Sequence, residues 1–480
     1  MMSYLHDDVF LNSDIAKELY HSVAAKAPII DFHTHLDEES ILNNYQFADL
    51  WELWLKEDHY KWRLMRACGV AEEFITGSAS PWEKFEAFAK IMPLAVGNPV
   101  HHWAHLELKR VFNIELLLNS ENAKSIWDEA NKQLCTNPQL RVQGLLDNFQ
   151  VELVCTTDDP CSDLLIHEKI NQDNCSTTQV YPTFRPDQAM NIQNPVEFNA
   201  WVEQLAEVSG EAIHSFASFY QALKSRHNYF HSHGCRLSDH GLAYSPCREV
   251  SPGDLEAIFS KVTQGVAATE DEWQAFAFAV LKHIAQWNCA AGWTMQLHLG
   301  PLRNVNSKML PVTGKDSGFD TMGGFPQTAN LIQLLDNFSK ANILGKTIIY
   351  NLNPVESESI CCAIQNFQNE QAQGLVQYGP AWWHLDHVRG IREQLDILTS
   401  LGAIGTSIGM LTDSRSFTSY VRHEYYRRLL CGYIGDAVQA GEMPDDRESL
   451  HSLIYDICYG NAAHYFNWQN EKKSQNYVLS

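Results

Sequence analysis

The chain has 480 residues, 45% hydrophobic and 11% aromatic, ample for a large buried core. Its formal net charge of −23 argues against general nucleic-acid or anionic-membrane binding, because both need a basic surface to displace counterions or meet lipid headgroups. Twelve cysteines at irregular spacings include no Cys-x-x-Cys pair, and neither a signal peptide nor a bilayer-spanning apolar run is visible, so they read as reduced thiols of a cytoplasmic protein.

In chain order, Ser13 is placed to cap a first helix, and Pro28 to His33 follows as an apolar strand that ends in His33-Thr34-His35. Side chains two apart in a strand point the same way, so both imidazoles face one cation. Chance alone supplies about 0.9 His-x-His triplets in a chain of this composition, so context has to decide. The second copy, His231-Ser232-His233, follows a helical run and reads as histidines complementing a helix C-terminus.

Residues 37 to 150 exceed what one crossover helix needs and read as a largely helical insertion rising from the catalytic rim. Within it, Trp51, Trp54, Leu55, Trp62, Leu64 and Met65 flank Glu57-Asp58-His59-Tyr60-Lys61. That stretch is either an exposed polar turn on a packing helix or a cap presenting His59 and Tyr60 to a substrate. His101, His102 and His105 have helical spacing without a completing carboxylate and read as packing.

Further strands are expected at Val151 to Thr157, Gln179 to Phe184, Gly234 to Asp239, Thr294 to Leu299, Lys346 to Asn351, Leu375 to Tyr378 and Ile404 to Leu411. Amphipathic helical patterns separate most of them, among them Phe198 to Val208, Asp254 to Val262 and Asp271 to Trp287. Eight alternating units imply right-handed crossovers and a (β/α)8 barrel with its active site at the C-terminal strand ends. An open doubly wound sheet fits less well, since no Gly-x-Gly-x-x-Gly turn or Gly-Lys-Ser/Thr loop is present.

Chemistry-bearing residues fall at those ends: His33 and His35 after strand one, Arg185 after three, His240 after four, His298 after five, Asn351 after six, Trp382 and Trp383 after seven, Asp413 and Arg415 after eight. First and last strands are neighbours in a closed barrel, so Asp413 is the candidate third ligand of a zinc-type site with a position left open. His240 and His298 read equally as groups behind that site or as locally satisfied buried histidines. Arg303 and Asn304 read as caps of a loop, and Arg422, Arg427 and Arg428, interleaved with Glu424, as a solvated helix face. The polar stretch Asn470 to Asn476 reads as a fraying tail.

Several segments together carry a resemblance: Ile30-Asp31-Phe32-His33-Thr34-His35-Leu36, Asp58-His59-Tyr60-Lys61-Trp62-Arg63, Thr156-Thr157-Asp158-Asp159-Pro160, Thr183-Phe184-Arg185-Pro186-Asp187, Arg236-Leu237-Ser238-Asp239-His240-Gly241, Leu297-His298-Leu299-Gly300-Pro301-Leu302-Arg303-Asn304 and Leu411-Thr412-Asp413-Ser414-Arg415-Ser416-Phe417. In this order they resemble the uronate isomerase family of the amidohydrolase superfamily. The resemblance implies a TIM barrel of the metal-dependent hydrolase type, and the strand pattern divides the chain into residues 1–36 as the N-terminal helix and first strand, 37–150 as a helical cap, and 151–480 as the rest of the barrel and the C-terminal helices.

It also implies aldose-ketose isomerisation of hexuronates, D-glucuronate to D-fructuronate and D-galacturonate to D-tagaturonate. The implied metal ligands are His33, His35 and Asp413, holding one divalent ion, with zinc expected. The implied catalytic groups are His59, Tyr60, Asp413 and Arg415; Arg185 would bind the substrate carboxylate, and Trp382 or Trp383 would line the sugar pocket. A homo-oligomer without nucleic-acid or membrane partners is implied as well.

Such a reaction needs a base to take a proton beside a carbonyl and a stabiliser for the enediol. Asp413 suits the first task, and Tyr60 does so only if cationic neighbours favour its phenolate. Arg185 and Arg415 supply forked donors. The alternative reading is a mononuclear amidohydrolase-type metal hydrolase. A bridging lysine common in binuclear relatives is missing near the fourth strand, where Leu237-Ser238-Asp239-His240 stands.

Overall fold

The computed structural model describes residues 4–172 and 176–468, so the tail at Asn470 to Asn476 lies outside the described residues. Among the described residues there are nine strands: β1 Ile29–Asp31, β2 Val151–Cys155, β3 Gln179–Tyr181, β4 Leu237–Leu242, β5 Thr294–Leu299, β6 Pro301–Leu302, β7 Thr321–Met322, β8 Thr347–Asn351 and β9 Val376–Tyr378. Seven are the barrel staves. They pair in parallel as β1-β2-β3 and β4-β5-β8-β9, while β6 and β7 form a small antiparallel hairpin in the loop after β5. Phe184 joins the two ladders: its N–H donates to Leu237 O (3.1 Å) and its carbonyl accepts from Asp239 N–H (3.0 Å).

The eighth stave corrects the expectation of a strand over Ile404 to Leu411. Residues Ile404–Thr406 form a 3-10 turn, and Gly409, at φ 77°, breaks the extended path. The segment beyond it still docks beside β1: Asp413 N–H donates to His33 O (3.1 Å), and His35 N–H donates to Ser414 O (3.0 Å). Asp31 fastens the same seam, because its buried carboxylate accepts from Thr412 N–H (2.8 Å) and Thr412 Oγ1–H (2.6 Å). β4 also begins three residues later than expected, since its preceding helix runs through Ser232 and Gly234 turns the chain at φ 87°.

The barrel interior is filled by Ile30, Phe32, Leu153, Cys155, Leu237, Ile348, Tyr350 and Leu411, and the helix Asn461–Tyr465 joins the same cluster through Ala462, Ala463 and Tyr465, with Phe466 just beyond it. Between β1 and β2 the chain forms mainly helices, including His59–Ala67, Pro81–Ile91, Pro99–Phe112 and Ala123–Thr136. Their apolar faces share one core with the helices Asp14–Ser22 and Val421–Ala440, the first of them capped by Ser13 Oγ (3.1 Å from Ala16 N). No helix among the described residues is long and apolar enough to cross a membrane, and the described cysteines are free.

That packing overturns the solvated reading of the arginine face. Arg422, Arg427 and Arg428 are buried; Arg427 donates to the carbonyls of Ala24 (3.0 Å), Ala27 (2.7 Å) and Pro28 (2.6 Å). Buried guanidiniums need such acceptors, and carbonyls at turns and helix ends provide them. The histidines of the helix Pro99–Phe112 do pack: His105 Nδ1 meets His101 O (2.7 Å), and His102 Nδ1 meets Tyr425 Oη (3.0 Å).

Candidate active site

A cavity of about 950 Å3 opens at the C-terminal strand ends, and His33, His35, Asp413, His298, Arg185, His59, Tyr60, Trp382, Trp383 and Arg415 all line it. His33 and His35 leave the end of β1 on one face. Their Nε2 atoms lie 3.1 and 3.0 Å from the same oxygen, Asp413 Oδ1. Tetrahedral ligands at about 2.0 Å from an ion stand about 3.3 Å apart, so this triangle fits a divalent cation. Asp413 reaches the position with φ at 46°, a left-handed conformation that aspartate tolerates better than most residues and that the bonds to β1 enforce.

Both tryptophans, not one of the two, finish this group. Trp382 Nε1–H (2.5 Å) and Trp383 Nε1–H (3.1 Å) donate to Asp413 Oδ2, fixing the carboxylate plane and leaving Oδ1 for the histidines. Trp383 is itself left-handed at φ 40°, strained backbone for a bulky side chain beside the site. Burial opposes ionisation of Asp413, but the bonds and charges of His33 and His35 outweigh it and hold the carboxyl well below its usual range. Burial pushes His35 down to about 4, giving the neutral ring that ligation requires.

Asp239 is the central residue that sequence reasoning missed; its position at the end of an expected strand carried no assigned role. Along β4, alternation sends Leu237 and Asp239 into the barrel and Ser238 and His240 outward, where Asn288 Nδ2 donates to Ser238 Oγ (2.7 Å) and His240 Nε2 meets Ser238 Oγ (3.0 Å). His240 is therefore a buried histidine turned away from the site, bonded locally through Nε2 while its Nδ1 has no protein partner. Asp239 Oδ1 lies 2.6 Å from His298 Nδ1, and its Oδ2 lies 3.2 Å from Arg185 Nη1 and 3.9 Å from His33 Nδ1. A proton on His298 Nδ1 leaves Nε2 as a bare acceptor, and that buried atom has no protein partner. Although burial opposes it, the positive groups around Asp239 hold its carboxyl well below the usual range. His33, Asp239 and His298 form a second potential ligand group, but the Arg185 guanidinium already supplies its positive charge. An acid inside an expected strand was the available signal.

The cap brings the remaining groups over the mouth. Asp58 caps the helix His59–Ala67 by accepting from Tyr60 N–H (2.9 Å) and Lys61 N–H (3.1 Å). This fixes His59 and Tyr60 in the first turn, with their rings stacked at 4.7 Å and His59 edge-on to Trp383 at 6.0 Å. The polar-turn reading of these two residues is replaced by cavity lining. Tyr60 Oη is buried without a protein partner, and burial pushes the phenol well above its ordinary range, so it rests as a neutral donor. Arg303, expected only to cap its loop, stacks on Trp383 at 5.1 Å and pairs with Asp316 (3.0 Å). Asn304 does serve the loop: its N–H donates to Asp320 Oδ1 (2.7 Å). Asn351 turns to Asn353 O (2.6 Å) and Ser357 Oγ (3.0 Å) instead of the site.

The glucuronate isomerase family model matches residues 1–466. The uronate isomerase of Opitutus terrae is 46% identical over 97% of this chain and 98% of its own length, and that of Solibacter usitatus is 44% identical over 96% and 98%. Among solved structures, the uronate isomerase of Thermotoga maritima superposes with a TM-score of 0.90 at 34% identity, covering 96% of this chain and 99% of that one. The glucuronate isomerase of Caulobacter crescentus gives 0.88 at 25% identity, covering 97% of each. Matched over nearly its whole length, with the same (β/α)8-type architecture, this chain belongs to the glucuronate (uronate) isomerase family.

Proposed function

We propose that the protein interconverts hexuronates and their 2-keto isomers, D-glucuronate with D-fructuronate and D-galacturonate with D-tagaturonate, at one divalent metal ion, expected to be zinc, held by His33, His35 and Asp413. The observation that carries this reading is the convergence of His33 Nε2 and His35 Nε2 on Asp413 Oδ1 in a cavity shared with Tyr60, Arg185 and Arg415. When bound, the ion supplies Lewis-acid polarisation of substrate oxygens.

The chain's own groups divide the rest. Arg185 is held by Asp187 (2.9 Å) and Asp239 (3.2 Å), so its fork is fixed in direction and clamps the uronate carboxylate. Tyr60, neutral at rest, donates its hydroxyl proton to the carbonyl oxygen as charge builds there, with His59 stacked beside it. Asp413 takes the proton from the neighbouring carbon, and Arg415 stabilises the enediol oxygens. Asp413 then returns its proton to the adjacent carbon while the Tyr60 phenolate takes the proton of the other enediol hydroxyl, so the ketone forms, both groups are restored and no atoms are gained or lost. Trp382 and Trp383 line the sugar pocket while restraining Asp413. A cytoplasmic homo-oligomer is the expected setting.

The test is product analysis with both uronates on protein of known metal content. Formation of the ketohexuronate without release of a fragment supports isomerisation. Consumption of an ester or amide with no uronate turnover would favour the hydrolase.

A further inference from the structure

Beneath Tyr60 lies a buried ion pair for which the proposed chemistry has no direct use. Arg422, on the helix Val421–Ala440, sends Nε to Asp386 Oδ2 at 2.8 Å, and its Nη2 bonds the same oxygen. Both side chains are almost fully buried. The guanidinium lies 4.7 Å from the centroid of Trp103 and 5.8 Å from that of Tyr60, while these two rings meet edge to face at 6.0 Å. The phenol therefore rests on a charged, planar platform brought together by three chain regions: the cap, the loop after β9 and the helix after the eighth stave. Its hydroxyl has no protein partner, so no hydrogen bond from the chain orients it.

Resting on the assignment of Tyr60 as proton donor, we propose that Arg422, anchored by Asp386, is the positioning residue for Tyr60: it holds the ring against Trp103 and keeps the hydroxyl turned to the substrate. Buried ion pairs are weak sources of stability, because desolvation offsets most of their attraction. A cation stacked between two rings fixes their relative placement, and sub-ångström placement of a donor governs turnover more than binding. Lys61 anchors the other side of the same turn, its Nζ 3.1 Å from Asp58 Oδ2 and 3.8 Å from Glu107 Oε2.

The test is a double-mutant cycle on metal-loaded enzyme. The pair is deleted as Arg422→Met with Asp386→Leu, which removes both charges and keeps apolar volume, in the presence and absence of Tyr60→Phe. With Tyr60 intact, kcat should fall roughly ten- to hundred-fold while KM stays within about two-fold. Together with Tyr60→Phe, deleting the pair should cost almost nothing further, because the residue it positions is already disabled. A purely structural pair would cost the same factor in both backgrounds, or nothing, and either result overturns the proposal. Should the deletion not fold, Arg422→Lys keeps the ion pair but loses the planar stack. It should cost kcat several-fold with Tyr60 intact and nothing with Tyr60→Phe, and unchanged kcat in both overturns the proposal equally. Absence of uronate turnover by the unsubstituted enzyme would instead remove the functional reading itself.

Discussion

With Arg185 as the proposed carboxylate clamp, its replacement by lysine separates recognition of the acid end from the metal chemistry. In the folded protein the guanidinium spends Nε on Asp187 (2.9 Å) and Nη1 on Asp239 (3.2 Å), and its side chain is 19% exposed, toward the cavity. One ammonium cannot span both carboxylates and still offer two parallel donors to a third. Lysine keeps the charge and loses at least one charge-assisted hydrogen bond to the substrate, about 1.5 to 3 kcal/mol, equivalent to roughly a ten- to hundred-fold rise in KM. Because the acid end aims the distant carbonyl, kcat should fall too. Metal content should stay at that of the unsubstituted enzyme, since none of the three proposed ligands pairs with Arg185. Steady-state kinetics on both uronates, with metal quantified on the same sample, is the assay. Unchanged KM and kcat for both substrates in a folded, metal-loaded variant would refute the clamp.

Tyr60→Phe should lower kcat roughly hundred-fold or more while leaving metal content unchanged, as expected for a lost proton donor; undiminished turnover would return His59 and Tyr60 to a packing role. Gly241→Ala adds a Cβ 2.8 Å from Arg185 Nη2 and 3.1 Å from Asp187 Oδ2, so KM should rise several-fold with no change of charge, and kinetics matching those of the unsubstituted enzyme would show that Arg185 need not stand where it does. Burial lowers His101, His167, His227, His240, His283 and His384 to about 4, so between pH 4 and about 6.5 the unfolded chain binds more protons at these six and stability rises with pH. Asp31, Glu107 and Asp158, raised by burial to about 7, oppose this from about pH 4 to 7, but they are three against six. The unfolding midpoint should therefore climb from pH 5 to 6.5, and a midpoint that falls over this interval contradicts the balance.

The residues that were legible in the sequence are those whose local pattern already carries geometry. His33 and His35 sit two apart at the end of an apolar strand, and Asp413 belongs to the neighbouring stave by barrel closure alone. Asp239 escaped notice because its importance lies in three partners from different staves, His33, Arg185 and His298, and no local pattern records them. The eighth strand failed for the opposite reason. Its composition is strand-like, but Gly409 and the left-handed Asp413 bend the backbone to aim one carboxylate, so a functional demand overrides local propensity. Arg422 was misplaced on charge periodicity, since the helix Val421–Ala440 is buried nearly all round and a charged residue on it signals a buried pair.

The most direct test of the account is metal-dependent turnover: strip the enzyme with a chelator, restore zinc in steps, and follow conversion of D-glucuronate to its 2-keto isomer. The account predicts activity rising in proportion to bound ion and saturating at one ion per chain, with His33→Ala and Asp413→Ala failing to retain it. Full uronate turnover by metal-free enzyme, or saturation only at a second ion, would contradict it.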